Sequence, residues 1–178
     1  VVAVDPLASL APRWITVTLL GREWEIPPKT AADWLEVLVP GRLYEVVPGW
    51  FDDETADDLI WDAVDDGTIT ENDLDQITKE VIEAASGRAW WWGWQILAMA
   101  KNSATAWSRL HGLMLLGGID STKVSLAAWF DALYAVATEG METEQKRKFD
   151  AAVDTPPPGE ELDEMAESSA FMALLKGG

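Results

Sequence analysis

The sequence predicts a mainly α-helical body with one N-terminal β-hairpin, so a minor α+β character, and an extended acidic C-terminal tail. Three observations carry that prediction. Two early runs, Trp14–Leu20 (WITVTLL) and Glu23–Ile26 (EWEI), alternate apolar and polar residues with the period of a strand. From Thr30 to Ala152 the apolar residues recur at three- and four-residue spacing, with capping residues and glycines between the runs. At Thr155–Gly159 (TPPPG) three consecutive prolines end that pattern and a strongly acidic segment follows. These shifts divide the chain into an N-terminal arm (1–12), the hairpin and helical body (13–154), and a proline-rich linker and tail (155–178).

The arm carries Pro6 and Pro12 and has no periodicity. In the hairpin, Ile15, Val17 and Leu19 share one face, and Gly21-Arg22 is the expected two-residue turn. Thr30 caps a helix running to about Val39, with Asp33 completing a capping box, and Pro40-Gly41 ends it. Residues 52–66 hold eight acids and no base and form a second helix, with Leu59, Ile60 and Val64 on its inner side. Thr70 and Asp73 make a second capping box, opening a helix to Ser86 with Leu74, Ile77, Val81 and Ile82 inward and Gly87 as its stop. Further helices are expected over about 89–102 and 104–116. After the Gly117-Gly118 loop, Ser125 caps another, whose stripe is Leu126, Trp129, Leu133, Tyr134 and Ala137. A short last helix, about 142–152, contains the basic cluster Lys146-Arg147-Lys148. Beyond the prolines, Leu162, Met165, Met172 and Leu175 are loosely periodic, as in a strip that becomes helical against a partner.

Composition narrows the function. The 178 residues include 31 acids and 13 bases, a net charge of −18, which repels nucleic acid and anionic lipid. There is no cysteine, so disulfides, thiolate metal sites and cysteine nucleophiles are excluded, and a reducing cytoplasm is expected. The single histidine, His111, excludes a two-histidine metal site and is expected to be a half-buried structural group. The most apolar stretch, Ala89–Ala100, is shorter than the roughly 20 residues of a membrane span. Val1–Leu10 lacks the basic start and apolar run of a signal peptide. No phosphate loop, nucleophile elbow or metal-helix motif occurs, so neither an enzyme activity nor a cofactor is expected.

Two constellations stand out. Asp62–Asp73 (DAVDDGTITEND) has the outline of a calcium loop, with Asp62, Asp66 and Asp73 at positions one, five and twelve and Gly67 at six. Position three is Val64, and Asp73 is short for a bidentate ligand; a helix end, a glycine turn and a Thr70 cap account for the same letters. The second is Trp90-Trp91-Trp92-Gly93-Trp94. At about 100° per residue, Trp90 and Trp94 share a face and Trp92 lies nearly opposite. One reading is a central helix walled by others. The other is a partner-binding surface, with Trp90 and Trp94 mostly buried and Trp91 or Trp92 keeping an accessible indole edge. The tryptophans at 14, 24, 34, 50, 61, 107 and 129 are expected in the core.

Several segments together carry a family resemblance: GREWEIP (21–27), AADWLEVL (31–38), EAASGRAWWW (83–92), the SLAAWFDALYAV helix and the proline-rich acidic end. The chain resembles the tail assembly chaperones of long-tailed (siphovirus) phages that infect actinobacteria, over roughly residues 13–175. That resemblance implies a non-virion assembly factor in the host cytoplasm, without catalytic residues. Its partners would be the tape measure protein, which it keeps soluble, the tail tube protein it helps recruit, and a frameshifted longer form of itself. Three other readings compete: a calcium-responsive or acidic protein-binding module, a DNA mimic, and a structural virion component. The DNA mimic is disfavoured because the acids cluster in 52–66 and 160–167 rather than along one face.

Overall fold

The computed structural model describes residues 11–38, 47–101 and 104–156, with the backbone alone for 47, 94, 97–101, 104–107 and 110. The arm up to residue 10, the Pro40-Gly41 break, and the tail with Leu162, Met165, Met172 and Leu175 lie outside the described residues.

Strands β1 (Ile15–Leu19) and β2 (Arg22–Ile26) pair antiparallel, with Ile15 opposite Ile26 and Leu19 opposite Arg22. That register puts the turn at Leu20-Gly21, one residue earlier than the sequence suggests. Both turn residues have positive φ, 55° and 69°, the twist that matches two right-handed strands. Ile15, Val17, Leu19, Trp24 and Ile26 are buried on one face, while Thr16, Thr18, Glu23 and Glu25 face out. Trp24 satisfies its indole N–H on Leu19 O at 3.0 Å.

A hairpin of this size is not stable alone, and β1 rests on a helix distant in sequence. Helix α1 is Ala31–Leu38, followed by a 3-10 turn Val47–Trp50, then α2 (Ala56–Asp65) and α3 (Glu71–Ser86). Helices α4 (Trp90–Lys101), α5 (Ala104–Leu116), α6 (Leu126–Thr138) and α7 (Thr143–Asp154) complete the described elements. Two helices organise the core. Helix α3 packs on β1, α4 and α6, while α6 packs on α1, α3, α4 and α5. Their buried residues include Leu74, Thr78, Val81 and Ile82 on α3 and Leu126, Trp129, Phe130 and Leu133 on α6.

The caps are where the sequence places them. Thr30 N–H donates to Asp33 Oδ2 at 2.7 Å, and Thr70 N–H donates to Asp73 Oδ2 at the same distance. Ser125 Oγ accepts from Ala128 N–H at 3.1 Å, and Gly87 closes α3 with φ of 68°. Helix α1 starts with two further bonds, Ala31 N–H to Val124 O at 2.8 Å and Ala32 N–H to Ser121 O at 2.9 Å.

Three expectations need correction. Helix α2 begins at Ala56 rather than residue 52, because Asp53 Oδ1 accepts from both the Thr55 amide (2.9 Å) and hydroxyl (2.7 Å) and holds a turn there. Its inner side is Ala56, Ile60 and Ala63; Leu59 is exposed. Among the tryptophans expected inside, Trp24, Trp34 and Trp129 are buried and Trp50 and Trp61 half-buried, but Trp14 is exposed; the Trp107 side chain lies outside the described residues.

The chain divides after Gly140 into two units, 1–140 and 141–178, so α7 groups with the second unit, whereas the sequence boundary is drawn at the prolines. Gly140, at φ of 74°, breaks the chain between α6 and α7, and Glu142 with Gln145 caps the new helix. Arg147 of α7's basic cluster forms an ion pair with Glu144 at 2.9 Å. No helix among the described residues is long and apolar enough to cross a membrane.

Candidate functional site: the aromatic face of α4

The WWWGW run starts α4, and its position is fixed by the end of α3. Ser86 Oγ donates to Arg88 O at 3.1 Å and accepts from Arg88 N–H at 3.2 Å, bracing the turn after Gly87. Glu83 Oε1 then accepts from Trp90 N–H at 3.2 Å, satisfying a first-turn amide of α4.

From that start the tryptophans diverge. Trp92 is core, 4% exposed, with its ring 5.8 Å from Phe130 and 5.9 Å from Tyr134. The Arg88 guanidinium covers it at 4.0 Å from the ring centroid. This removes Trp92 from the residues expected to offer an indole edge: α6 lies against the side of α4 that Trp92 occupies. Gly93 makes that approach possible. A Cβ at Gly93 would fall 2.5 Å from Phe130 Cε2, inside any real contact distance.

Trp90 and Trp91 behave otherwise. Both are half-buried, with rings edge-to-face at 6.1 Å and 87°. Lys79 reaches from α3 to 4.8 Å from the Trp90 ring while pairing with Asp75 at 3.2 Å. Trp90 is thus mostly but not fully buried, as expected, and Trp91 keeps part of its surface. The Trp91 indole N–H is buried and finds no acceptor among the described residues, a cost of about 1–3 kcal/mol. Trp94 continues α4, but its side chain lies outside the described residues. Leu162, Met165, Met172 and Leu175 lie outside them too.

Further exposed apolar residues escaped the sequence reading. Leu115 and Leu116, 51% and 87% exposed, end α5 beside buried Met114. Met114, Leu115 and Leu116 span about 200° of the helix, more than one inward face covers, and that is the signal that could have found them. His111, on the same helix, is exposed rather than half-buried.

The calcium-like loop is used differently. Asp66 Oδ1 accepts from Thr68 N–H at 2.8 Å in a turn around Gly67, Asp73 caps α3, and Asp62 is an exposed residue of α2. Among the described residues no three carboxylate or imidazole groups converge as metal ligands. Among the described residues, the carboxylates whose pKa moves all move down, each in a turn, a cap or a helix-surface ion pair. Hydrogen bonds from Thr68 and Thr70 lower Asp66 and Asp73, and those from Thr55, then Arg22, lower Asp53. Asp120, bonded first by Thr122 and then by Lys123, is lowered to about 2, and Arg147 lowers Glu144. Each of these shifts follows from local structure.

No protein-family model, curated protein or solved structure matches this chain.

Proposed function

We propose that the protein is a non-enzymatic tail assembly chaperone of a long-tailed phage. It holds the aggregation-prone, helical tape measure protein on the Trp90–Trp91 surface of α4 and acts in the host cytoplasm, helping recruit tail tube subunits. The observation that supports this reading most is the split within one helix turn. Trp92 is locked against α6, while two neighbouring indoles stay half-open on a chain of net charge −18. Aromatic rings supply large contact area at small entropic cost, and the acidic body keeps a sticky complex dispersed. The identity of the partner rests on the sequence resemblance.

Co-expression tests it. The tape measure protein of the same phage, insoluble when made alone, is expected in the soluble fraction when made with this protein and in the pellet when made with the Trp90→Ala/Trp91→Ala variant. A tape measure protein equally soluble with the variant, or insoluble with the native chain, would overturn the proposal.

A further inference from the structure

A second feature lies away from the Trp90–Trp91 face. A cleft of about 500 Å³ opens between the segment leading into β1, the end of α3 and the start of α6. Its charge is opposite to that of the protein. Three cations line it, Arg13, Lys29 and Arg88, against one acid, Asp131, in a chain where acids outnumber bases 31 to 13. Arg88 and Asp131 neutralise each other at 2.5 Å. Arg13 gives one N–H to Ala84 O at 2.6 Å, and Lys29 stands 5.3 Å from the Trp50 ring centroid. Neither has a carboxylate partner among the described residues. The remaining wall is partly apolar, with Pro12 and Ala127 accessible and Ile15, Trp34 and Leu126 buried behind them.

We infer that this cleft binds a carboxylate carried on an apolar body, held by Arg13 and Lys29 with its apolar part against Pro12 and Ala127. The volume falls within the roughly 300–1,000 Å³ of pockets that take drug-sized ligands. Two cations lining one cleft without a carboxylate partner among the described residues call for an anion, and the guanidinium fork of Arg13 matches a carboxylate. The surrounding charge of −18 selects a monoanion over a phosphate dianion. Leu126 and Ala127, the first residues of α6, also line the cleft, so the helix start adds to the local positive potential. A free carboxylic acid and the terminal carboxylate of a peptide share this chemistry. The inference is independent of the chaperone reading.

Amide-resolved NMR titration of the full chain decides it, using 4-phenylbutyrate, its carboxamide, and the peptide acetyl-Ala-Leu-Phe with a free or an amidated C-terminus. The acid probes are expected to saturate, shifting the Leu126 and Ala127 amides and the Trp34 indole. The amides should bind roughly tenfold or more weakly, because they lose the charge-assisted bonds. Saturation by both acids identifies the carboxylate itself as the ligand; saturation by the peptide alone narrows the source to a chain terminus, and by the small acid alone to a free acid. Lys29→Met is expected to weaken binding, and Arg13→Gln/Lys29→Met to abolish it, with unchanged circular dichroism. Both residues are surface-accessible, and the acid–amide comparison needs no variant. No binding at millimolar acid, equal binding of acid and amide, or native affinity in the double variant would each overturn the inference.

Discussion

Gly93 faces the ring of Phe130 so closely that the two define the distance between α4 and α6. A single methyl on Gly93 would meet Phe130 Cε2 at 2.5 Å, and Phe130 is fully buried, with no open side to move toward. Gly93→Ala is therefore expected to destabilise the fold by about 1–3 kcal/mol despite the better helix propensity of alanine. Urea denaturation measures it. Gly93→Ala combined with Phe130→Leu should recover part of the loss, and strict additivity of the two would refute the contact.

The adjacent tryptophans should differ sharply in their worth to stability. Trp92→Ala removes a ring packed on Phe130, Tyr134 and Arg88, and is expected to cost about 3–5 kcal/mol. Trp90→Ala removes a partly exposed ring and the Lys79 contact, a smaller loss of about 1–2 kcal/mol. Equal shifts in denaturation midpoint would contradict the placement of Trp92 inside and Trp90 at the surface.

Asp120 gives a pH dependence of defined sign. Its folded-state pKa is lowered to about 2 from 3.8, so its ionised form stabilises the fold. That contribution is fully present above pH 3.8 and is lost as pH falls through 2. Asp120→Asn keeps the turn-forming side chain and removes the charge. The native protein should melt above the variant at pH 6, and the difference should shrink between pH 4 and pH 2. A gap that is constant across that range, measured by thermal melts, would contradict the assignment.

Calcium should leave thermal unfolding unchanged. Asp66 and Asp73 already serve Thr68 and Thr70, so a cation would have to compete with a turn and a helix cap. Melting in millimolar calcium and in excess chelator is expected to coincide, and a rise with calcium abolished by Asp62→Ala would restore the metal reading.

Much of the fold was legible because its signals are local. Thr30 with Asp33, Thr70 with Asp73, Ser125 and Gly87 each act within four residues, and each ends or begins a helix where the sequence says. The hairpin turn falls one residue before Gly21-Arg22 because Leu20 adopts a positive φ that leucine rarely takes. The candidate site was less legible. Helical angles separate Trp90 from Trp92 but do not say which side meets α6. That depends on Phe130 accepting Gly93, a relation between two helices that neither spells out alone. The cationic cleft was invisible for the same reason: Arg13, Lys29 and Arg88 are isolated bases in sequence and neighbours only in space.

The two amides that open α1 have a consequence for how the protein comes off the ribosome. Ala31 and Ala32 find their acceptors in Val124 and Ser121, beyond α5. With eight residues, α1 is shorter than the roughly 12–15 a helix needs to persist unaided. During synthesis, hairpin and α1 are made long before the turn and the α6 surface that complete them. The segment translated early therefore matures late, and a nascent chain stalled before residue 121 should leave the α1 amides open to hydrogen exchange.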